Sequence, residues 1–449
     1  MANDNPTDPV ISQSVSASIG VAPGRLDVMG GIADYSGSLL LQMPIREKTV
    51  VTIEHTEDLH NRFVVTSAQE EGQFEIGLDQ IAGIPYRELG AVLRSRPGGE
   101  WAAYVLGCFA VLEQEKGLKY HGAGISIHSD VPIGKGVSSS ASLEVATMHA
   151  ICSAYDLRLD PVELAVLAQK VENLVVGAAC GLMDQLSVNL GKEGHLLPII
   201  CQPHEVFEPV VIPEGVRFLG LDSGVRHAVS GASYGDVRTA AFMAFTLAMV
   251  RSGAPKESFL DLDSLPFKGF WANVTPKDFY EKYDMLIPRS MKGSDYLEEI
   301  GFHIDPVTTV DPGKEYNLFQ AALHPVAEGS RIKDFLKILR GLPEAEDPEM
   351  MLITLGRLML ASHEGYNAVG LGEPVTNRIV DLVRQRRGEG NGIYGARISG
   401  GGSGGTVSVM IGSDKGYEQL LDIKRIMEWE TGKEHRLFEG SSNGAHYIN

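Results

Sequence analysis

The sequence predicts a protein of mixed α and β structure that is built from more than one domain. Its 449 residues exceed the length of a typical domain and suggest about two or three of them. At two places, a segment with the alternating polarity of a strand is followed by one with the spacing of an amphipathic helix. A chain of this length can bury a substantial core.

The charge balance of the chain is acidic, with 39 basic and 58 acidic residues and a formal net charge of −19. This charge argues against nonspecific binding to nucleic acid or to an anionic membrane surface, because both carry negative charge themselves. We therefore expect neither nucleic acid nor membrane among the partners. An anionic substrate would have to be held by the local field of a particular site.

The cysteine pattern and the N-terminus predict a reduced, cytoplasmic protein. The four cysteines are scattered, without the paired spacing of a zinc site: Cys108, Cys152, Cys180 and Cys201. The first residues lack the basic and apolar regions of a signal peptide, and no apolar run approaches about 18 residues. We expect residues 1–18 to form a disordered polar tail.

The first predicted strand and helix flank a loop rich in glycine and serine, Pro132 to Ser142, with the sequence PIGKGVSSSAS. Before the loop, alternating apolar residues predict a half-buried strand: Ala123, Ile125 and Ile127. After it, apolar residues at three- and four-residue spacings predict a helix: Leu143, Ala146, Ala150 and Ala154. The loop therefore joins a strand to the N-terminus of a helix.

This loop has the local chemistry of a phosphate-binding site. The first N–H groups of a helix lack partners within the helix, and the helix dipole is positive there, so an anion is favoured. Gly134 and Gly136 allow the main chain to approach a phosphate, and the hydroxyl groups of Ser138 to Ser140 add donors or a metal ligand. The spacing is not that of a Walker loop. A glycine-rich turn capped by serine is the alternative.

A second helix is predicted to begin at Asp160, which is followed by a proline at the first helical position and by Glu163 three residues after the cap. Apolar positions predict that this helix continues to Val175. Glu172 falls on or beside the apolar stripe, where an unpaired carboxylate would be costly, so it needs a partner or a metal ion. The loop after the helix carries Asp184.

The composition of the chain changes shortly after residue 222. Arg217 to Asp222 has the pattern of a strand, and a longer helical region follows around Ala240 to Val250. We therefore predict an N-terminal domain at 19–222 and a C-terminal domain at 223–449. The segment of about 253–312 is irregular and rich in Pro, Asp and Lys, which predicts an insertion on the surface.

A glycine-rich segment, Gly395 to Gly405, precedes the second predicted strand and helix, and its late glycine cluster is Gly400 to Gly405. The strand places Val407, Val409 and Ile411 on one face, and the helix after it ends near Gly432. A tight hairpin-like turn is the alternative interpretation of the cluster.

Near the N-terminus, the segment Pro23 to Gly37 mixes glycines with an arginine and two aspartates, PGRLDVMGGIADYSG. In isolation this mixture is typical of a surface ion pair. Together with the serine loop and the late glycine cluster, it resembles the three ordered motifs of the GHMP kinase superfamily. Within this resemblance, SSSASLEVAT, VEN, CGLMDQ and VRHAVSGASY are similar to galactokinases.

The resemblance covers nearly the whole chain and implies an α+β GHMP kinase fold. In that fold, an N-terminal domain like ribosomal protein S5 domain 2 and a ferredoxin-like C-terminal domain enclose the active site. The implied cofactors are ATP and Mg²⁺. Trp101 resembles a tryptophan near the nucleotide of galactokinases, although a place in the core is the alternative.

The resemblance also implies roles for individual residues. Asp184 would be the catalytic aspartate beside the anomeric hydroxyl, paired with Arg25, because a cation favours the ionised form of a base or orienter. Ser140 and Glu172 would be the Mg²⁺ ligands. ATP would contact the loop and one tryptophan: Pro132, Gly134, Lys135, Gly136, Val137, Ser138, Ser139, Ser140, Ala141 and Trp101. The sugar would contact another set: Arg25, Gly31, Ile32, Asp34, Cys180, Gly181, Asp184, Tyr234 and Gly401.

The sequence departs from the galactokinase pattern at positions 31 and 32. Galactokinases carry a glutamate and a histidine there, near the C6 hydroxymethyl group of galactose, whereas this chain has Gly31 and Ile32. A site that cannot hydrogen-bond a hydroxyl group does not favour a substrate that carries this group. L-arabinopyranose has the ring configuration of D-galactose from C1 to C4 and no hydroxymethyl group, so it fits the change.

Strings between Ala22 and Met410, among them APGRLDVMGGIADYSG and SGGGSGGTV, also look like the kinase portion of plant L-arabinokinases. The expected protein is therefore a cytoplasmic sugar 1-kinase that converts L-arabinose to L-arabinose 1-phosphate, as a monomer or small homo-oligomer. The alternatives are a galactokinase with an altered C6 pocket, a uronic-acid 1-kinase and a non-catalytic sugar and ATP sensor. The presence of Arg25, Glu172, Asp184 and an uninterrupted SSSAS favours an enzyme over a sensor.

Overall fold

The computed structural model describes residues 17–69, 72–178, 180–226 and 234–448. Its strands are β1 (Ala17–Met29), β2 (Leu39–Glu54), β3 (Arg62–Ser67), β4 (Gln73–Gly77), β5 (Gly124–Ser129), β6 (His195–Cys201), β7 (His204–Val206), β8 (Val210–Val211), β9 (Arg217–Asp222), β10 (Met291–Lys292), β11 (Glu315–Tyr316), β12 (Ile393–Ile398), β13 (Thr406–Ile411), β14 (Leu437–Phe438) and β15 (His446–Ile448). Its α-helices are α1 (Tyr86–Arg94), α2 (Gly99–Lys116), α3 (Ser139–Ala154), α4 (Pro161–Lys170), α5 (Met183–Leu190), α6 (Tyr234–Arg251), α7 (Pro276–Asp278), α8 (Gly293–Glu299), α9 (Leu318–Gly341), α10 (Pro348–Ala368), α11 (Pro374–Arg386) and α12 (Asp414–Thr431).

Two large sheets organise the fold, and β10 and β11 form a separate two-stranded sheet within the described residues. Within the described residues, nine strands form the larger sheet, in the order β15-β1-β2-β5-β3-β4, with β6 paired to β2 and with β7 and β8 paired to β6. Its neighbours are antiparallel except for the parallel pair β3 and β5. The four-stranded sheet has the order β12-β13-β9-β14. Helix α3 packs on β1 and β2, and α10 and α11 pack on β12, so the α+β class is confirmed.

A hydrophobic cluster fills the space between the two sheets. It contains Leu26 and Met29 of β1, Phe218 of β9, Phe335 of α9 and Met410 of β13. These side chains are nearly completely buried, and their burial stabilises the contact between the two sheets. Because β1 ends and β12 ends at this junction, the glycine-rich segments that follow each strand lie close together.

Local patterns in the sequence predicted several elements correctly. Strand β5, the loop and helix α3 follow one another as expected, and β9 has the predicted bounds. Helix α4 begins after Asp160, whose Oδ1 accepts the N–H groups of Val162 and Glu163 at 2.9 and 3.2 Å. Strand β13 and helix α12 follow the late glycine cluster, and α12 ends immediately before Gly432.

Two boundaries differ from the prediction. Strand β1 begins at Ala17, so Ala17 and Ser18 pair with β2 instead of belonging to the tail, whereas residues 1–16 of the predicted tail lie outside the described residues. The helix after Asp160 does not continue as an α-helix to Val175, because Val171–Val176 form a π-helical turn. A π turn alters the angular spacing of side chains and is frequent at functional sites.

The irregular segment at about 253–312 is exposed over much of its length, but several of its aromatic side chains are buried. That the segment is an insertion stays a prediction. Its aromatic side chains lie in one hydrophobic cluster with α6 and α9: Phe270, Trp271, Phe279, Tyr283 and Tyr296. Trp271 Nε1 donates to the carbonyl oxygen of Ala241 in α6 at 3.0 Å. The division of the chain at residue 222 stays a prediction, and β15 returns to the larger sheet beside β1. None of the described helices is long and apolar enough to cross a bilayer.

Candidate active site

Arg25 and Asp184, separated by 159 residues in the chain, form an ion pair at the centre of the site. Arg25 Nε and Nη2 lie 3.0 and 2.8 Å from Asp184 Oδ1. Arg25 Nη1 donates to the carbonyl oxygen of Gly136 at 2.6 Å. The side chain of Arg25 is 3% exposed and that of Asp184 is 25% exposed, so the carboxylate is the partner that a substrate can reach. One guanidinium group thus connects the carboxylate to the serine loop.

The serine loop leaves donors unpaired at the N-terminus of α3. Gly134 and Gly136 have φ values of +72° and +70°, which glycine adopts without strain. Ser138 precedes α3 with φ of +61°, and its side chain makes no cap hydrogen bond. Its Oγ is buried and has no partner among the described residues. The serine-capped turn therefore lacks its defining hydrogen bond, and the orphaned hydroxyl and N–H groups suit an anion.

The side chains of three predicted ATP-binding residues contact other parts of the protein. Lys135 Nζ lies 2.7 Å from Asp222 Oδ2, a carboxylate at the end of β9 that is 4% exposed. The carbonyl oxygen of Lys135 accepts from Thr406 Oγ1 at 2.7 Å. Val137 and Ala141 are buried in the core. Lys135 therefore ties the loop to the smaller sheet, and Val137 and Ala141 offer only main-chain groups to a ligand.

A buried acidic group adjoins the loop. Glu172, in the π turn, accepts from Gln185 Nε2 at 2.7 Å and from Cys180 Sγ at 3.4 Å. The same Gln185 nitrogen donates to Glu144 Oε2 at 3.1 Å. Burial raises the pKa of Glu172 and raises that of Glu144 well above its usual range. The Ser140 hydroxyl also hydrogen-bonds Glu172, which opposes that rise.

The oxygen atoms of Ser140 and Glu172 are the kind of ligand that Mg²⁺ prefers. The part of the chain that the structure describes contains no group of three or more His, Cys, Asp or Glu side chains placed to hold a metal ion. A partial set of oxygen ligands fits Mg²⁺, because this ion usually keeps water and binds substrate phosphates in addition to one or two protein ligands. The two residues therefore fit a metal ion that is shared with a nucleotide.

Asp34, Tyr234 and Gly181 form a cluster near the ion pair. Asp34 lies in the 3₁₀ turn Gly31–Ser36, and its Oδ1 accepts from Tyr234 Oη at 2.8 Å. Burial raises the pKa of Asp34 to about 6, and the Tyr234 hydrogen bond opposes that rise. A Cβ atom added at Gly181 would overlap Asp34 Oδ2. The predicted sugar residues Asp34, Gly181 and Tyr234 are thus brought together, and only glycine fits at 181.

The other residues that were predicted to contact the sugar have different surroundings from one another. The Cys180 thiol donates to Glu172 Oε2 at 3.4 Å, and the main-chain N–H of Cys180 donates to Asn173 Oδ1 at 2.8 Å. Gly401 lies in the turn between β12 and β13. The side chain of Ile32 is 1% exposed and packs in the hydrophobic cluster of α6 and α9. Gly31 is the first residue of the turn that carries Asp34.

A cavity of about 440 Å³ opens next to the serine loop. Its mostly apolar surface includes Trp101, Tyr104, Ile133 and Leu143, and strands β2, β3 and β5 and helix α1 also contribute to the wall. The cavity reaches Ser139 and Ser140 at the start of α3. An apolar cavity with a few polar groups at one end is the usual form of a small-molecule site. Trp101 therefore packs against the core on one side and lies on the wall of a cavity beside the predicted phosphate loop.

Sequence reasoning missed a buried network between the first and last glycine motifs. Asp27 and Arg397 form an ion pair with Asp27 Oδ2 and Arg397 Nη1 2.8 Å apart, and neither side chain is exposed. Asp27 Oδ1 accepts the N–H of Gly31 at 3.2 Å, and Tyr366 Oη accepts that of Ile32 at 2.9 Å. Asp27 stands two residues after Arg25 in the same glycine-rich segment, so the sequence does contain a signal that Asp27 lies near the site. Nothing in the sequence pattern singled out Tyr366.

Part of the galactokinase-like string VRHAVSGASY falls on residues 227–233, which lie outside the described residues. Arg226, just before them, is close to the loop: a Cβ atom added at Gly134 would lie 3.7 Å from its Cγ. Tyr234, just after them, begins α6.

Comparisons with known proteins identify the family of the chain. Residues 103–192, which include α3, the loop and Asp184, match the family described as GHMP kinases N terminal domain. The chain is 38% identical to an L-arabinokinase of Arabidopsis thaliana over 94% of its own length and spans 45% of that protein. It is 30% identical to a galactokinase of Chloroflexus aggregans, over 88% of this chain and 84% of that protein.

A solved structure shares the fold. The galactokinase of Lactococcus lactis, crystallised with galactose, superposes with a TM-score of 0.74 over 97% of this chain and 96% of its own, at 19% sequence identity. Since the 30% identity to a galactokinase extends over most of both proteins, the relationship is not limited to one domain. The chain belongs to the GHMP kinase superfamily, as a galactokinase-like sugar kinase.

Proposed function

We propose that this kinase transfers the γ-phosphoryl group of ATP to the anomeric hydroxyl group of L-arabinose, giving ADP and L-arabinose 1-phosphate. Its membership of a kinase family supports ATP as donor. The observation that carries the choice of sugar is the absence of a side chain at position 31. A Cβ atom there would overlap the Tyr366 hydroxyl oxygen, so the structure leaves no room for the glutamate of galactokinases.

A pentose matches the site that remains. Asp34 and Tyr234 offer polar groups to ring hydroxyls, whereas Gly31 and the buried Ile32 offer none to a hydroxymethyl group. A site that hydrogen-bonds a substrate hydroxyl group strongly prefers substrates that carry this group, whereas a site without such hydrogen-bonding partners does not. The 38% identity to an L-arabinokinase over 94% of the chain supports the same sugar.

Asp184 is the group proposed to act on the sugar hydroxyl. Its Oδ1 is held by Arg25, and among the described residues no donor reaches its Oδ2, so this oxygen is available to the C1 hydroxyl. In this arrangement Asp184 accepts or orients the hydroxyl proton, and Arg25 also offsets negative charge at the transferring phosphoryl group. Catalysis then rests on positioning and charge stabilisation, as is general for phosphoryl transfer.

The phosphates are proposed to lie at the N-terminus of α3. Gly134, Gly136, Ser138 and Ser139 would bind them through main-chain N–H and hydroxyl groups, and the nucleotide base would enter the cavity beside Trp101. Ser140 and Glu172 would hold Mg²⁺, which, when bound, neutralises charge on the phosphate oxygens.

A galactokinase with an altered C6 pocket is the second candidate, favoured by the 30% identity to galactokinases. A coupled ADP-release assay with L-arabinose, D-galactose, D-galacturonate and D-glucuronate at matched concentrations separates the candidates. We expect the highest kcat/KM for L-arabinose. A higher kcat/KM for D-galactose would contradict the pentose assignment, and the absence of turnover with every sugar would contradict the kinase reaction.

The raised pKa of Asp34 predicts a pH dependence of sugar use. Ionised Asp34 accepts hydrogen bonds, so protonation below its pKa of about 6 removes an acceptor from the site, and kcat/KM for the sugar falls as pH drops through that value. The pKa of Asp34 is raised from 3.8 to about 6 in the folded protein, so the folded state favours the protonated carboxyl group more than the unfolded chain does. The contribution of Asp34 to stability is therefore present below pH 3.8 and is lost as pH rises through about 6. We expect Asp34→Asn to lose the acidic limb of the profile, whereas the exposed Asp58→Asn keeps it. An unchanged limb in Asp34→Asn would assign it to another group.

A further inference from the structure

Tyr366 on α10 joins the two glycine motifs of the site through its hydroxyl group. The side chain is fully buried. Its oxygen accepts the N–H of Ile32 at 2.9 Å, and its O–H donates to the carbonyl oxygen of Gly400 at 2.7 Å. Ile32 belongs to the turn that carries Asp34, and Gly400 belongs to the turn after β12. A single side chain thus fixes the backbone of both turns.

The same hydroxyl occupies the volume of a side chain at position 31. A Cβ atom added at Gly31 would overlap Tyr366 Oη and would lie 2.6 Å from Asp27 Oδ2 and 2.9 Å from Arg397 Nη2. Real Cβ atoms do not approach other heavy atoms this closely, so a neighbour would have to move. Position 31 and the Tyr366 hydroxyl therefore compete for one volume.

The groups around Tyr366 hold it in that volume. Arg397 and Asp27 form a fully buried ion pair, and the Arg397 guanidinium carbon lies 5.1 Å from the centroid of the Tyr366 ring. Asp27 Oδ1 is fixed in turn by the side-chain amide of Gln42, which donates to it at 2.8 Å. The His324 ring also packs edge-on against the Tyr366 ring, with the centroids 5.6 Å apart, so Tyr366 is held by contacts on more than one side.

We propose that Tyr366 determines sugar specificity by filling the volume beside Gly31 and so closing the pocket at the position of a hydroxymethyl group. This inference rests on the proposed function, since it concerns the same sugar site. Tyr366 acts through Gly31 and Ile32 and is therefore a positioning residue. The exclusion is steric, and it adds to the loss of the polar partners at positions 31 and 32.

Tyr366→Leu tests the steric part of this proposal. The change shortens the side chain beside Gly31, and we expect the ratio of kcat/KM for D-galactose to that for L-arabinose to rise about tenfold, mainly through a lower KM for D-galactose. The matched control is Tyr296→Leu on α8, because Tyr296 is equally buried and its hydroxyl donates to the carbonyl oxygen of Phe302 at 2.7 Å. The control should leave the ratio unchanged. An unchanged ratio in Tyr366→Leu would overturn the proposal.

A double-mutant cycle with Gly31→Ala and Tyr366→Phe tests the competition for volume without a large cavity. Gly31→Ala introduces the overlapping Cβ atom, and Tyr366→Phe removes the oxygen that it overlaps. The assay uses the sugar that the wild type prefers. We expect kcat/KM of the double variant to be about tenfold higher than that of Gly31→Ala, even though Tyr366→Phe alone lowers kcat/KM relative to the wild type. Strictly additive effects would overturn the proposal.

The two hypotheses fail separately in these experiments. A wild-type enzyme that prefers D-galactose defeats the choice of L-arabinose, whereas rescue in the cycle would still support Tyr366 as the residue that controls position 31. A wild-type enzyme that prefers L-arabinose, combined with an unchanged ratio in Tyr366→Leu and additivity in the cycle, defeats the inference on Tyr366 alone.

Discussion

Replacement of Asp184 by asparagine is expected to lower kcat by about 10²- to 10⁴-fold, the range that general acid–base groups contribute. Asparagine keeps the shape of the side chain and the acceptor that Arg25 binds, but it removes the charge and the ability to take a proton. The fold should persist, since Asp184 is 25% exposed and lies outside the hydrophobic clusters. The measurement is kcat from ADP release, together with the melting temperature.

Two readouts separate a chemical role of Asp184 from a structural one. Nucleotide binding, measured by the quenching of tryptophan fluorescence, should be retained in Asp184→Asn because the cavity beside Trp101 is unchanged. The control, Asp334→Asn, alters an exposed carboxylate on α9 and should leave kcat unchanged. A kcat in Asp184→Asn equal to that of the wild type would remove Asp184 from the mechanism.

Arg397→Met is expected to lower the free energy of unfolding by about 3–5 kcal/mol, because it leaves the Asp27 carboxylate buried without its cation. Neither side chain of the pair is exposed. Combining Arg397→Met with Asp27→Asn removes the stranded charge while keeping acceptors for Gln42 and for the N–H of Gly31, so the double variant should recover much of the loss. Urea denaturation measures both variants.

A solvent-exposed ion pair supplies the comparison for this prediction. Arg62 and Glu75 lie 2.8 Å apart with exposed fractions of 44% and 42%. Arg62→Met should cost at most about 1 kcal/mol, as is usual for surface pairs. If Arg397→Met cost no more than Arg62→Met, the buried pair would not stabilise the junction between the glycine motifs.

Sequence patterns predicted those parts of the fold whose causes are local. The period of the apolar residues and the cap at Asp160 determine β5, α3 and the start of α4, so they can be read from neighbouring residues. The pairing of Arg25 with Asp184 spans 159 residues, and only the resemblance to a family could predict it. Glu172 was expected to need a partner, and the structure provides Gln185.

The remaining features depend on contacts between distant parts of the chain. The ATP contact of Lys135 stays a prediction, and its ion-pair partner Asp222 could not be read from the local sequence because it lies on a strand 87 residues later. Tyr366 fills the volume beside Gly31 from a helix 334 residues after Ile32, the residue whose N–H it accepts. The irregular composition of the segment at about 253–312 hid its aromatic core positions, because their spacing follows no regular period.

The local field of the site explains how a chain with a net charge of −19 can bind a nucleotide. Arg25, the main-chain N–H groups at the start of α3 and the orphaned Ser138 hydroxyl converge on one loop, although Glu172 and Glu144 lie beside it. Such groups stabilise an anion at short range regardless of the total charge. In the proposed reaction, a bound Mg²⁺ would offset negative charge on Glu172 and on the phosphate oxygens.

A competition between two sugars tests the central claim most directly. The enzyme is given ATP, Mg²⁺ and equal concentrations of L-arabinose and D-galactose, and the sugar phosphates are separated and identified by mass, since they differ by the hydroxymethyl unit. We predict that L-arabinose phosphate predominates and that ³¹P NMR assigns the phosphate to C1. Predominance of D-galactose phosphate, or phosphorylation at another carbon, would contradict the account.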